Sequence, residues 1–233
     1  MAKLPREFLE WNYFARRELL SKLSSGGFED PRLLFIEFTR HNPVLCTAAV
    51  GDGGGIEVNG KVIGVGYVLK PEFLTEAARR LEEHLKATDE ALAAGARSRE
   101  EIVREHAARG LKLLLELVYL EPEAAEERVD FEKLASVELA LRVPHSSKHT
   151  WSILQRARRA CLVFYQPPST SFEIRCIVSV HEGDAYHRFV NLVHDAYHYT
   201  PPERRSGRPV YLFHVEEVYD NSATLNGFGR RLV

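Results

Sequence analysis

The stretch HSSKHTWSILQRARRACLVFYQPPSTSFEIRC, residues 145–176, decides the fold. It predicts a polar turn, a helix at Lys148–Arg159, a buried strand at Cys161–Gln166, a turn at PPST, and a second strand at Phe172–Val180. In the second strand, side chains alternate between two faces. One face consists of Phe172, Ile174, Cys176, Val178 and Val180, whereas Glu173, Arg175 and Ser179 lie on the other. The alternation predicts a sheet with one buried face.

The segments on both sides continue this pattern. A strand is predicted at Val137–Val143, and a helix at Asp184–Tyr199 that Pro201 ends. The sequence PVYLFHVEEVY, residues 209–219, predicts a final strand, and the chain closes with GFGRRLV at 227–233. The C-terminal half is therefore expected to run strand, turn, helix, strand, turn, strand, helix, strand.

The N-terminal segment has a helical pattern. Apolar residues recur at helical spacing over 4–23, which predicts an amphipathic helix that packs on the rest of the molecule. LLFIEFTR at 33–40 and VLCTAAV at 44–50 have the composition of strands. We therefore expect an N-terminal helix within 1–30, followed by strands.

Two glycine-containing segments predict turns. GDGGG at 51–55 indicates a hairpin tip rather than a phosphate-binding loop, because no GK[ST] sequence follows it. Asn59-Gly60 is a strong signal for a two-residue hairpin turn between two apolar runs. Together these turns predict a β-meander over residues 44–70.

A helical segment interrupts the strands at 72–121. It predicts two helices broken at Gly95, and Ser98 with Glu101 forms a capping box at the start of the second helix. Three roles are compatible with this helical hairpin, namely a dimer contact, a lid or a scaffold, and the sequence does not distinguish among them. EPEAAEE at 121–127 predicts an acidic, solvated connector.

Composition excludes several classes of protein. The chain has 233 residues, 45% hydrophobic and 27% charged, with a formal net charge of −2. A general nucleic-acid binder usually carries a basic excess, so nucleic acid is not expected as a partner. No apolar run approaches the roughly 20 residues that span a bilayer. The opening MAKLPREFLEWNY lacks the apolar core of a signal peptide, so a cytoplasmic location is expected.

The C-terminal half resembles a known superfamily. Ser146-Ser147-Lys148, Leu162–Gln166 and Glu173–Cys176 match a pattern in which a Ser-Arg-Lys turn opens a helix, a strand reads LVFYW, and the next reads QVRV. This pattern is similar to that of the FMN-binding split β-barrels, the pyridoxamine 5'-phosphate oxidase-like superfamily. The GFGRRLV tail resembles the haem-utilisation branch of that superfamily. The match covers residues 137–233.

The resemblance implies a fold and an assembly. The expected fold class is α+β, an antiparallel split β-barrel with flanking helices and an inserted helical hairpin, with residues 1–233 forming one domain. Members of the superfamily are typically homodimers that bind the flavin at the interface. FMN is the implied cofactor, with deazaflavin and haem as alternatives, and the implied substrate is a small molecule.

Physical chemistry points to the same phosphate site. Ser146, Ser147, Lys148 and Thr150 cluster at the start of a predicted helix, where backbone N–H groups and the helix dipole favour an anion. Taken alone, Ser-Ser-Lys is typical of a helix cap with solvated neighbours. In this strand–turn–helix context it predicts a flavin phosphate site, although the longer helix here leaves open whether Ser147-Lys148 or His149-Thr150 contacts the phosphate.

Two departures from the family pattern bear on function. Arg175 matches the arginine of QVRV, whereas Glu173 replaces the glutamine, and a carboxylate there would repel the reduced flavin ring. The resemblance implies that both residues lie near the cofactor. The C-terminal segment GFGRRLV also lacks the Arg-x-x-Pro sequence that pyridoxamine-phosphate oxidases carry at that end with a substrate-binding histidine. Vitamin B6 oxidation is therefore not expected, and no catalytic side chain is identified.

The histidines leave a second hypothesis open. His187, His194 and His198 lie on one predicted helix, and the i, i+4 pair has a spacing that can bind a metal or haem. No third ligand is evident, so no metal site is predicted, and no Ser-His-Asp arrangement has a recognisable spacing. The two hypotheses are an FMN-dependent oxidoreductase using a reduced nucleotide, and a haem- or flavin-binding protein without turnover that stores or senses.

Overall fold

The computed structural model describes residues 1–26, 31–139, 147–205 and 208–233, with the side chains of Pro31, Leu33 and Leu34 excepted. Its strands form one antiparallel sheet of eight strands within these ranges. They are β1 Val44–Val50, β2 Ile56–Val62, β3 Gly66–Leu69, β4 Val129–Val137, β5 Arg159–Gln166, β6 Thr170–His181, β7 Val210–Asp220 and β8 Arg230–Arg231. The strand order is β2-β1-β5-β6-β7-β4-β3, and β8 pairs with β7.

The sheet closes on itself through residues 63–65. β2 and β3 lie at opposite ends of the strand order, yet only these residues separate them along the chain. The backbone N–H of Ile63 donates to Pro43 O at 3.0 Å, and that of Val65 donates to His41 O at 2.9 Å. One bent strand therefore pairs with β1 at its start and with β4 at its end, which makes the sheet a barrel. The expected antiparallel split barrel of the α+β class is confirmed.

Helices flank this barrel at several places. They are α1 Arg6–Leu9, a π-helical turn at Glu10–Phe14, α2 Ala15–Ser24, α3 Pro31–Thr39, α4 Pro71–Ala94, α5 Arg99–Leu117, α6 Pro122–Arg128, α7 His149–Arg156 and α8 Ala185–Tyr197. The part of the chain given above contains no helix that is both long enough and apolar enough to cross a membrane.

The N-terminal helix packs into one end of the barrel. The Phe8 ring makes edge contacts with Phe164 of β5 at 5.1 Å and with Phe172 of β6 at 5.3 Å between centroids. The Tyr13 hydroxyl donates to Val118 O at 2.7 Å and accepts from Leu120 N at 2.7 Å, which satisfies this buried group. The predicted docking helix is thus confirmed as part of the core.

The helical hairpin is confirmed and packs on α8. Gly95 ends α4 with a φ of 64°, and Ser98 forms the predicted capping box with Glu101. Between the hairpin and α8, the rings of His84 and His106 stack at 4.2 Å. Burial lowers the pKa of His106 to about 4, so this ring is neutral at physiological pH.

Two predictions for the first half are wrong. Residues 33–40 were expected as a strand, but Pro31–Thr39 is a helix. An apolar run such as LLFIEF fits either structure, and Pro31 at the first helical position favours the helix. Asn59-Gly60 does not turn the chain, because both residues lie inside β2, opposite Thr47 and Cys46. The turn occurs at GDGGG, residues 51–55, as predicted, where Gly51 N donates to Gly55 O at 2.8 Å.

Three predictions near β4 and α7 also change. The strand expected at Val137–Val143 instead occupies Val129–Val137, and residues 140–143 of that prediction lie outside the described residues. The connector at 121–127 is largely helix α6. The helix expected at Lys148–Arg159 ends at Arg156, because Arg159 already pairs with Ile177 in the sheet.

Candidate functional site

The predicted phosphate-site residues surround the start of α7. Lys148 is the N-cap residue of this helix, and Ser147 precedes it with an exposed side chain. Thr150 is buried, and its hydroxyl accepts a hydrogen bond from Asn59 Nδ2 of β2 at 2.8 Å. Ser146, the fourth predicted residue, lies outside the described residues. The structure therefore brings Ser147, Lys148 and Thr150 together against β2.

Two lysines converge on one buried carboxylate at this position. Glu138 is 1% exposed, and Lys61 Nζ donates to its two oxygens at 2.8 and 3.0 Å. Lys148 Nζ donates to the same carboxylate at 2.5 Å and also to Leu139 O. Burial disfavours the charge of Glu138, but the hydrogen bonds from Lys148 and Lys61 outweigh it and hold its pKa below the usual value. We call Lys61 and Lys148 the lysine pair.

The lysine pair could not be identified from sequence. Lys61 follows Asn59-Gly60, which predicted a turn, and Glu138 fell inside a strand predicted at 137–143. In the structure Lys61 lies in β2, directly opposite Leu45, and Glu138 lies just past the end of β4. The barrel closure brings these distant segments together, and no local spacing signals it.

This cluster can bind an anion. Two ammonium groups against one carboxylate leave a net positive charge of one, and no side chain of the described residues caps the first turn of α7. Free N–H groups and the positive end of the dipole favour a negative ligand at such a helix start. The lysine pair is partly accessible, because the two side chains are 35% and 23% exposed.

Glu173 and Arg175 form a second polar cluster on β6. Arg175 Nε donates to Glu173 Oε1 at 2.8 Å, and a second guanidinium nitrogen donates to Glu217 at 3.1 Å. The guanidinium also lies 4.7 Å from the centre of the Tyr219 ring. Asn221 Nδ2 donates to the other Glu173 oxygen at 3.1 Å. The carboxylate of Glu173 is therefore neutralised by its own neighbours.

The two clusters lie on opposite faces of the sheet. Lys61 is opposite Leu45, which is fully buried, so its side chain lies on the inner face of the barrel wall. Glu173 alternates with Phe172 and Ile174, which are buried, so its side chain lies on the outer face. Within one chain, the structure does not bring Glu173 and Arg175 to the lysine pair.

Apolar side chains cover much of the outer face of β1, β2 and β5. Several outward positions on these neighbouring strands carry large hydrophobic residues exposed to solvent. They are Val50, Ile56, Val58, Val62 and Tyr165, each at least 55% exposed. Exposed hydrophobic residues grouped on one face are typical of interaction surfaces in soluble proteins. We call these five residues the outer apolar face.

The predicted histidine stripe is engaged with other groups. The rings of His194 and His198 are 5.3 Å apart, and His194 Nδ1 lies 3.0 Å from Asp195 Oδ1. Asp195 is buried and also pairs with Arg208 at 2.6 Å. In the ranges that the structure describes, no group of three His, Cys, Asp or Glu side chains is arranged to hold a metal ion.

No family model and no curated protein matches this chain. Among solved structures, it is similar to a Listeria innocua protein provisionally assigned as a pyridoxamine 5'-phosphate oxidase, with 11% identity and a TM-score of 0.36 over 81% of this chain and 94% of that one. It is also similar to HupZ of Group A Streptococcus, with 9% identity and a TM-score of 0.39 over 88% and 100%. An F420 reductase has 10% identity and a TM-score of 0.34 over 78% and 92%. At such identities and TM-scores, these likenesses carry no argument about family or function.

Proposed function

We propose that this protein binds FMN and acts as an oxidoreductase, passing hydride or electrons between a reduced nucleotide and a small acceptor. The observation that carries the proposal is the lysine pair at the start of α7, next to the Ser147 hydroxyl. A phosphate monoester carries up to two negative charges and needs fixed donors, and this cluster supplies both charge and donors.

Enough donors remain for a phosphate. Each ammonium has three N–H groups. Lys61 uses its ammonium on the two oxygens of Glu138, and Lys148 uses its own on Glu138 and on Leu139 O. Counting partners among the described residues, each lysine therefore retains a donor, and Ser147 adds a hydroxyl. A ligand phosphate would complete this set.

Glu138 acts as the anchor of the site in this proposal. Two ammonium groups repel each other when they are held close together, and a buried carboxylate between them removes that repulsion. The lysines are thus fixed before a ligand arrives, which reduces the entropy lost on binding. When bound, FMN supplies the hydride chemistry, and the chain supplies binding and orientation.

This proposal prefers FMN to haem. His194, one of the candidate haem ligands on the histidine stripe, is already hydrogen-bonded to Asp195. A deazaflavin cofactor also carries phosphate, so the lysine pair would serve it equally. The absorption spectrum of the purified protein distinguishes the two chromophores, and flavin would show yellow fluorescence after denaturation.

Replacing the lysine pair should weaken FMN binding selectively. In Lys148→Ala the Kd for FMN is expected to rise about 10- to 100-fold, the range for losing one charged hydrogen bond. The Kd for riboflavin, which lacks the phosphate, should change little. The measurement is quenching of flavin fluorescence during titration with the protein.

Two further variants make this experiment decisive. Lys148→Ala alone leaves Glu138 paired with Lys61 and removes the net positive charge, whereas Lys148→Ala combined with Glu138→Gln restores a net charge of plus one through Lys61, so a loss of FMN affinity in both variants is attributed to the Lys148 donor and not to net charge alone. Lys86→Ala, on an exposed side chain of α4, is the matched control and should leave both affinities unchanged. Equal binding of FMN and riboflavin by the wild-type protein would contradict the phosphate assignment.

We also propose a homodimer that uses the outer apolar face. The face lies on β1, β2 and β5, and the polar cluster of Glu173 and Arg175 lies beside it on β6. In a two-fold dimer, the outer face of one copy meets the same face of the other. This arrangement would let the outward residues of one copy lie near a cofactor held by the other.

A charged side chain introduced into the outer apolar face should dissociate the proposed homodimer. Val58 is 76% exposed, and Val58→Glu is expected to convert a dimer into a monomer at micromolar concentration, as measured by sedimentation equilibrium. Glu100→Lys, on an exposed turn of α5, is the control and should leave the dimer intact. A wild-type protein that sediments as a monomer would rule this assembly out.

A further inference from the structure

Four polar side chains form a hydrogen-bonded chain at the end of β6. Asp184 Oδ2 lies 2.5 Å from His181 Nδ1, and His181 Nε2 lies 2.7 Å from the Ser179 hydroxyl oxygen. On the other side, His214 Nε2 of β7 lies 2.7 Å from the same oxygen. The chain therefore runs Asp184, His181, Ser179, His214.

The proton positions follow from the partners. A carboxylate can only accept, so His181 Nδ1 carries a proton and donates it to Asp184. In the neutral ring, His181 Nε2 is then a bare acceptor and takes the hydrogen bond from the Ser179 O–H. The Ser179 oxygen in turn accepts from His214 Nε2–H. A hydroxyl with a bare imidazole nitrogen at 2.7 Å, on a ring oriented by a carboxylate, is the arrangement that activates a serine.

The orienting group is itself fixed. Asp184 is the N-cap residue of α8, and its second oxygen accepts from His187 N at 2.9 Å. Burial disfavours its charge, but this backbone N–H and His181 outweigh it and hold the pKa of Asp184 below its usual value. The carboxylate that holds His181 therefore stays ionised near neutral pH, and helix formation positions it.

His214 supplies a second fixed donor. Burial lowers the pKa of His214, with Lys133 nearby as a further cause, so the ring is neutral at physiological pH. His214 also lines an open cleft of about 530 Å³ together with Met1, Ala2, Ile177 and Glu216. Ile177 precedes Ser179 by two positions on the same face of β6 and is 40% exposed. The cleft therefore borders His214, whose ring contacts the Ser179 hydroxyl.

We propose that Ser179 is a nucleophile for the hydrolysis of small carboxylic esters, with His181 as its general base and Asp184 as the positioning residue. This site is separate from the FMN site proposed above. Ser179 alternates with the buried Val178 and so lies on the outer face of β6, whereas the side chain of Lys61 lies on the inner face of the barrel wall. The proposal does not depend on flavin binding.

The reaction would proceed in two balanced halves. The Ser179 oxygen bonds to the ester carbonyl carbon, its proton moves to His181 Nε2, and the carbonyl π pair moves onto the carbonyl oxygen. That oxyanion accepts a hydrogen bond from His214 Nε2–H. This N–H becomes available because the Ser179 oxygen, once bonded to the carbonyl carbon, is a poorer acceptor. The bond to the alcohol oxygen then breaks, and His181 returns the proton to it. Water repeats the sequence and releases the carboxylic acid and free Ser179.

The test uses p-nitrophenyl acetate with the full chain. Ser179→Ala and His181→Asn are each expected to lower kcat/KM by at least about 100-fold, the usual contribution of a nucleophile–base pair. Ser171→Ala is the matched control, since Ser171 lies on the same strand and its hydroxyl donates to Phe164 O at 3.0 Å. It should retain the wild-type rate.

A covalent probe gives a second readout. A fluorophosphonate should attach to Ser179 in the wild-type protein and in Ser171→Ala, as located by peptide mass spectrometry, and should not label Ser179→Ala. Unchanged hydrolysis in Ser179→Ala, labelling at another residue, or neither hydrolysis nor labelling in the wild-type protein would overturn the proposal. FMN titration of Ser179→Ala should match the wild type, which separates this proposal from the flavin site.

Discussion

Gly110→Ala is expected to destabilise the protein by about 3 kcal/mol, the upper range for overpacking a well-packed site. Gly110 lies in α5, where it faces α8. A Cβ atom on Gly110 would lie 1.7 Å from the Ala196 carbonyl oxygen and 2.6 Å from its carbon. Because these are backbone atoms of a packed helix, relief requires the two helices to separate. Urea unfolding followed by far-UV circular dichroism measures the loss.

The expected loss of stability in Gly110→Ala is opposite to the effect that helix propensity alone predicts. Alanine is a better helix former than glycine by about 1 kcal/mol, so propensity alone predicts a gain in stability. Gly55→Ala is the control, because a Cβ there meets nothing within 4 Å. A more stable Gly110→Ala protein would show that α5 and α8 do not approach as closely as the structure has them.

Arg208→Met should cost about 3–5 kcal/mol, the range for breaking a buried ion pair from one side. Arg208 is 7% exposed and Asp195 is 1% exposed. Two guanidinium nitrogens donate to the two Asp195 oxygens at 2.9 and 2.6 Å, and the Thr200 hydroxyl adds a bond at 2.6 Å. Removing the cation leaves a buried carboxylate without its main partner. Urea unfolding at neutral pH measures the cost.

The pH dependence of Asp195 supports this assignment. Burial opposes its charge, but hydrogen bonds from His194, Arg208 and Thr200 outweigh burial and lower its pKa from 3.8 to about 2. The folded-state pKa is depressed, so the stabilisation is present above pH 3.8 and is lost as the pH falls toward 2. In Arg208→Met, protonation of Asp195 relieves the penalty, so the difference from wild type should shrink in acid.

Two variants control for the loss of an arginine. Arg188→Met breaks a pair with Glu82 in which both side chains are more than 40% exposed, and should cost less than about 1 kcal/mol. Asp195→Asn combined with Arg208→Met removes both charges and should recover part of the stability. Equal losses in the free energy of unfolding for Arg208→Met and Arg188→Met would show that burial does not make the Arg208–Asp195 ion pair more important for stability than an exposed pair.

Local signals determined which elements could be predicted. The helical hairpin was predictable because Gly95 and the Ser98–Glu101 capping box mark its ends in the sequence. The prediction of a strand at 33–40 was wrong because a short apolar run fits a helix and a strand equally well. The turn at Asn59-Gly60 was wrong because pairing with β1 keeps both residues extended.

The candidate site was predictable only in its local part. Ser147, Lys148 and Thr150 are near neighbours in the chain, and the start of a helix marks them. Lys61 and Glu138 reach the same point through strand pairing, which a single sequence does not reveal. No Ser-His-Asp arrangement was recognisable from sequence spacing, because the turn between β6 and α8, and not a known motif, brings Asp184 back to His181.

The closed barrel also defines what the helical hairpin is. Lys70 N donates to Arg128 O at 2.8 Å, so the chain leaves the barrel after β3 and returns to β4 at the same place. In topology, α4 to α6 form a long connection between the two strands of a β-hairpin, β3 and β4. The order of the strands in the sheet does not depend on this connection. The same segment nevertheless contributes Leu81 and Leu114 to the hydrophobic core, so an insertion in the connectivity is also an integral part of the core packing.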